Sequence, residues 1–131
     1  MIGRTILIAE DDRFLRRAAE LAMKQRGFSV VLAEDGSQAL ELARTCRPDL
    51  ILLDVLMPRM TGIEVLRQLR ADEATRNLPV LVLSNSSKEL DVDMANQLGI
   101  EGYWIKANLS LKELGDRVTA LVGKETHAAD A

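Results

Sequence analysis

The sequence predicts an α/β fold: a doubly wound parallel sheet of five strands, with five helices distributed over both faces. Three observations lead there. Leu50-Ile51-Leu52-Leu53, preceded by Pro48-Asp49, is an unbroken aliphatic run ending in the carboxylate of Asp54. Runs without polar alternation belong to strands buried on both faces, as parallel sheets under helices require. Similar short runs recur along the chain, and each is followed by a segment with helical spacing and a recognisable cap. No stretch remains for a second domain, so one domain is placed at residues 1–123, with a polar tail at 124–131 that frays.

In order, Thr5–Ala9 is the first strand, and Glu10, Asp11 and Asp12 follow it at once. From Arg13 to Arg26 the apolar residues Phe14, Leu15, Ala18, Leu21 and Ala22 fall at helical spacing, and Gly27 offers the left-handed residue past the helix end. Phe28–Ala33 is the second strand. Asp35 with Gln38 resembles a capping box opening a helix that runs to about Thr45. After the central strand, Thr61 and Glu64 form a second such box, with Ile63, Leu66 and Leu69 on the helix's inner face. Val80–Leu83 is the fourth strand, ending at Ser84. Ser86 and Glu89 cap a fourth helix with a weaker pattern, Leu90, Met94 and Leu98. Gly102–Ile105 is the fifth strand, ending at Lys106. Ser110 and Glu113 cap the last helix, whose stripe is Leu111, Leu114, Val118 and Leu121.

Composition narrows the function. Of the 131 residues 47% are hydrophobic and 28% charged, which is ordinary for a packed domain. A net charge of -3 argues against a nucleic-acid partner, because binding a phosphate backbone needs a concentrated basic surface. Cys46, the single cysteine, cannot form an internal disulfide and reads as a half-buried bystander. The opening apolar stretch runs straight into three acids, unlike a signal peptide, and no run approaches the ~20 apolar residues that span a bilayer. A cytoplasmic location without membrane insertion follows.

The chemistry lies in where the polar residues fall. Strand one ends in Glu10-Asp11, strand three in Asp54, strand four in Ser84 and strand five in Lys106. In a parallel sheet those ends share one edge, the edge at which ligands bind. Each residue alone has a blander reading: a helix cap, a surface lysine, a stray hydroxyl. Their coincidence at successive strand ends favours a site. Clustered carboxylates repel unless a cation shares them, and hard oxygen ligands suit Mg²⁺. With Lys106 and Ser84 placed for phosphate oxygens, the group describes a carboxylate that accepts a phosphoryl group.

From Thr5 to about Leu121 the chain resembles the receiver domain of two-component response regulators, in its stand-alone, chemotaxis-type form. The resemblance rests on Glu10-Asp11, on Asp54 with Met57-Pro58 and Gly62, on Ser84 and on Lys106. It implies the flavodoxin-like strand order 2-1-3-4-5. It also implies that Asp54 is the phosphoacceptor, taking its group from a sensor histidine kinase or phosphotransfer protein. Asp11 and Asp54 would bind Mg²⁺ directly, together with the Leu56 backbone carbonyl, and Glu10 would act through water. Ser84 and Lys106 would hold the phosphoryl group, and Ser84 with Tyr103 would form the conformational switch. Output would pass through the helix 4–strand 5–helix 5 surface to a separate downstream protein. A half-buried edge aromatic is the alternative account of Tyr103.

Four positions depart from the family pattern. Ser84 replaces the commoner threonine and keeps the hydroxyl. Asn85 stands where Ala or Gly is usual. Leu56, two residues past Asp54, is apolar and cannot orient a water, which predicts slow self-dephosphorylation. Ala107 replaces a proline, which predicts a trans Lys106–Ala107 bond, because a non-proline cis bond costs roughly 2.5–4 kcal/mol. Arg13, Arg16 and Arg17 either flank a docking face or form a solvated helix face. Two rivals to the phosphoacceptor reading stay open: an interaction module that is never phosphorylated, and a metal-dependent phosphohydrolase with an aspartyl-phosphate. The second lacks the Asp-x-Asp pattern after strand one and any cap insertion, so the chain is read as no enzyme beyond its own phosphorylation and slow dephosphorylation.

Overall fold

The structure is a computed structural model and describes residues 4–85, 92–108 and 110–123. Its elements alternate as β1 (Thr5–Ala9), α1 (Arg13–Gln25), β2 (Ser29–Ala33), α2 (Gly36–Cys46), β3 (Leu50–Asp54), α3 (Gly62–Ala71), β4 (Val80–Ser84), α4 (Val92–Leu98), β5 (Gly102–Ile105) and α5 (Leu111–Val118). All strand pairs are parallel, in the order β2-β1-β3-β4-β5. Every residue of β3 is buried, as its aliphatic run requires. Among the described residues no helix is long and apolar enough to cross a membrane.

Alternation along the strands splits the core into two layers. Leu7, Ile51, Leu53 and Val82 point to the side covered by α2, α3 and α4, against Leu40, Val65, Leu66, Leu69 and Ala95. Ile6, Ile8, Leu50, Leu52 and Leu81 point to the other side, against Ala19 and Met23 of α1 and Leu114 and Val118 of α5. Parallel register then decides which polar residues meet. Ala9 pairs with Leu53, so Glu10 emerges beside Asp54. Asp54 pairs with Leu83, so Ser84 lies one step further on the next strand, and Ser84 pairs with Ile105, which delivers Lys106.

Several local expectations need correction. The buried face of α1 is turned toward Ala19 and Met23, while Phe14 is 79% exposed and Leu15 and Leu21 are about half exposed at 40% and 47%. The apolar count along that helix included residues on its outer side. Cys46 is exposed at the end of α2, not half-buried. Asp35 caps α2 by accepting from the Gln38 N–H, but the Gln38 side chain reaches one residue further back and accepts from the Glu34 N–H at 2.6 Å. Ser110 and Glu113 make the complete reciprocal box, although Leu111 is 45% exposed. Gly27 has φ +89, the left-handed conformation expected past the end of α1. The proposed cap Ser86 and Glu89, the stripe residue Leu90 and the tail 124–131 lie outside the described residues.

Gly62 opens α3 directly behind the strand that carries Asp54, and its N–H donates to the Val55 carbonyl at 2.8 Å. A Cβ there would stand 2.5 Å from the Asp54 carbonyl oxygen and 2.9 Å from the Val55 Cα, both backbone atoms that cannot yield. In an open helix Ala is preferred to Gly by about 1 kcal/mol. Here the sign reverses: Gly62→Ala lowers the unfolding free energy by about 1–3 kcal/mol in urea titrations. A neutral or stabilising substitution would contradict this packing.

Candidate functional site

Glu10, Asp54, Ser84 and Lys106 converge at the carboxyl edge of the sheet. Glu10 is 5% exposed, Asp54 3% and Ser84 0%, while Lys106 is half-buried. Lys106 starts a 3-10 turn, Lys106–Asn108, directly after β5. Its ammonium Nζ stands 2.6 Å from Glu10 Oε1 and 3.1 Å from Asp54 Oδ1. The Lys106–Ala107 bond is trans, as the missing proline predicts, and the lysine still reaches both acids. Glu10 also accepts from the Asp12 N–H at 3.1 Å through Oε2. Asp12 itself caps α1 by accepting from the Leu15 N–H, which fixes the turn between the acids and the helix.

The loop after Asp54 is locked from the other side. Val55 donates to the Leu83 carbonyl at 3.1 Å, and Met57 is buried beneath the loop. Arg59, in a left-handed conformation at φ 72, places its guanidinium 3.1 Å from Asp35, the cap of α2. Gly36 lies so close to the Met60 backbone carbonyl that any Cβ there would collide with it. Leu56, by contrast, turns its side chain outward and is 50% exposed.

The electrostatics are unbalanced. Ligand oxygens of Glu10, Asp11 and Asp54 all lie within 4.8 Å of one another, with Asp11 exposed and the other two buried. Burial first, then the repulsion of Glu10, pushes the Asp54 carboxyl up to about 7 against the pull of Lys106. Burial alone would lower the Lys106 ammonium, but Glu10 and Asp54 together hold it above its ordinary value. With all three acids ionised, the one ammonium that contacts them leaves negative charge in excess. A divalent cation offsets that excess, and an all-oxygen donor set with one exposed ligand suits Mg²⁺, which keeps part of its water shell. The residues present fit that ion.

Tyr103 and Trp104 divide between the two faces of β5. Tyr103 is half-buried against the layer under α2, α3 and α4. Trp104 turns to the α1 and α5 side, where the Arg117 guanidinium carbon lies 4.1 Å above its ring. Asn85, next to Ser84, is exposed. Sequence reasoning missed Arg16 at this site. Its Nη1 donates to the carbonyl oxygens of Glu10 at 3.0 Å and Asp11 at 3.3 Å. Nothing in residue type separates it from Arg13 and Arg17; only its place five and six residues after the acid pair, on the helix that pair leads into, could have pointed to it.

Known proteins are similar to this chain in sequence and in fold. A family model described as the response regulator receiver domain matches residues 6–119. The alkaline phosphatase synthesis transcriptional regulatory protein PhoP of Bacillus subtilis (strain 168) is 34% identical over 128 residues, covering 98% of this chain and 52% of that protein. The response regulator MprA of Mycolicibacterium vanbaalenii is 39% identical over 121 residues, covering 92% and 51%. The chain thus spans about half the length of the curated relatives it matches. Among solved structures, the receiver domain of the sensor histidine kinase PA1611 from Pseudomonas aeruginosa PAO1, with a magnesium ion coordinated in its active site cleft, aligns with a TM-score of 0.82 at 30% identity, covering 93% of this chain and 99% of that one. The chemotaxis protein CheY4 of Vibrio cholerae aligns with a TM-score of 0.83 at 25% identity, covering 92% and 100%.

The raised Asp54 carboxyl has a consequence for stability. Its folded value of about 7 exceeds the ordinary 3.8, so keeping it ionised opposes folding. That cost is absent below about pH 4, grows between pH 4 and 7 and is complete above 7. Asp54→Asn therefore stabilises the metal-free protein at pH 8 by about 1–2 kcal/mol in denaturant titrations. The gain disappears at pH 4 and shrinks when Mg²⁺ is added. Destabilisation at pH 8 would contradict the site's electrostatics.

Proposed function

The chain belongs to the response regulator receiver domain family, and from that premise we propose that Asp54 is its phosphoacceptor, charged by a histidine kinase or a phosphotransfer protein. The observation that carries this reading is the Lys106 ammonium at 2.6 Å from Glu10 and 3.1 Å from a buried Asp54. Such an arrangement keeps the Asp54 carboxylate reactive and supplies positive charge where phosphoryl oxygens arrive. The receiver unit is assigned to residues 1–123.

In the transfer, an Asp54 carboxylate oxygen attacks the phosphorus of a phosphohistidine. The O–P bond forms as the N–P bond breaks, and the electron pair returns to the imidazole nitrogen, which takes up a proton. Lys106 exchanges its contact with the Asp54 carboxylate for one with a phosphoryl oxygen. The Ser84 hydroxyl, from the next strand end, donates to another. Asp11 and Asp54, with the Leu56 carbonyl, would hold Mg²⁺, and Glu10 would hold it through water. When bound, the ion neutralises negative charge on the transferring group.

Leu15 and Leu111 line, with Glu10 and Lys106, a cavity of about 90 Å³ between α1 and α5. That half-exposed apolar rim beside the acids supports docking of a protein phosphodonor there. Recruitment of Ser84 by the phosphoryl group favours inward packing of Tyr103. The surface of α4, β5 and α5 then changes its protein partners, a population shift biased by one added charge. Leu56 presents no polar atom on its side chain to align a hydrolytic water, so the phosphorylated state is long-lived.

Incubation with Mg²⁺ and a small phosphodonor tests the reading. Intact-mass measurement shows one added phosphoryl group on the wild type and none on Asp54→Asn, and after donor removal the adduct persists for minutes or longer. No mass gain in the wild type would favour the unphosphorylated interaction module. A half-life of seconds would overturn the role given to Leu56.

A further inference from the structure

The three arginines at the start of α1 have separate fates. Arg13 is exposed, and Arg17 is exposed with its guanidinium 2.9 Å from Glu20. Arg16 is half-buried and turns back under the acid loop, where Nη1 donates to the carbonyls of Glu10 at 3.0 Å and Asp11 at 3.3 Å. Those carbonyls belong to the two peptide planes that flank the Asp11 Cα. Fixing both planes fixes the φ and ψ of Asp11, and with them the direction of its side chain.

Asp11 needs such help. Glu10 is gripped by Lys106 and by the Asp12 N–H, and Asp54 by Lys106. Among the described residues, no donor holds the Asp11 carboxylate. Its aim depends on the backbone alone, which is tied by Glu10 N–H to the Ala33 carbonyl at 3.1 Å, by Arg16 N–H to the Asp12 carbonyl at 2.8 Å, and by the Arg16 guanidinium. We propose that Arg16 is a positioning residue of the divalent-cation site, preorganising Asp11 through its two flanking carbonyls. This rests on the assignment of Glu10, Asp11 and Asp54 to that cation.

Charge and positioning predict opposite signs. A guanidinium near the acids repels a bound cation, so loss of its charge alone would tighten binding. Loss of the two hydrogen bonds makes the loop pay the ordering entropy of one backbone residue on binding, which weakens it.

Calorimetric titration of the full chain with Mg²⁺ separates the two. Arg16→Met raises the Kd about 5-fold or more. Arg16→Lys keeps the charge, but its nitrogen sits one bond closer to the backbone than the Nη1 that makes both contacts, and the Kd rises at least about twofold. Arg17→Met, on the neighbouring exposed arginine, leaves the Kd unchanged. The backbone amides of Asp11 and Asp12 become more mobile in NMR relaxation of Arg16→Met, a change that loss of charge alone does not produce. An Arg16→Met protein that binds Mg²⁺ as tightly as the wild type, or tighter, overturns the proposal. Should that variant fail to fold, an unchanged Kd in Arg16→Lys overturns it equally. A wild type that binds no Mg²⁺ would remove the cation site itself, and the role of Arg16 with it.

Discussion

One ammonium group holds this site together. Lys106 reaches back from the end of β5 to Glu10 after β1 and Asp54 at the end of β3, and so spans the sheet's carboxyl edge. Two buried carboxylates so close together would otherwise repel strongly, because neither has bulk water to screen it. The lysine offsets part of that repulsion and leaves negative charge in excess at this edge of the sheet. The same imbalance costs stability in the metal-free protein.

Everything behind the site serves to keep those strand ends in register. The aliphatic run of β3 buries Asp54 at its tip because both faces of the sheet are covered by helices. Gly62 lets α3 start against the Asp54 backbone, and Arg59 and Gly36 fasten the intervening loop to α2. Opposite, Arg26 ties α1 to α5: its guanidinium lies over Gly115, where a Cβ would come within 2.8 Å, and pairs with Asp116 at 2.8 Å. The α1–α5 side is therefore braced, and Tyr103 packs on the other side of β5, toward α4.

The backbone of this account was legible in the residues. Strand runs such as Leu50–Leu53 and Val80–Leu83 carry their own diagnosis, since no surface strand or amphipathic helix tolerates such unbroken apolarity. The site followed because polar residues stopped each run at the same edge, and parallel topology converts sequence position into proximity. Orientation was less legible. The helical spacing of Phe14, Leu15 and Leu21 is real, yet Ala19 and Met23 face the core, because which side of a helix is buried depends on its neighbours. Side-chain reach was equally hidden. Arg13, Arg16 and Arg17 are alike in sequence, and the one that turns inward is chosen by the carbonyls of Glu10 and Asp11, which a one-dimensional pattern does not display.

Whether Lys106 is what lets the buried acids coexist is decided by a double-mutant cycle on metal-free protein. Unfolding free energies are needed for the wild type, Lys106→Met, Asp54→Asn and the double variant. Lys106→Met is expected to cost less stability in the Asp54→Asn background, with a coupling of about 1–3 kcal/mol. Equal losses in both backgrounds would rule it out, because the lysine would then stabilise the fold without acting on Asp54.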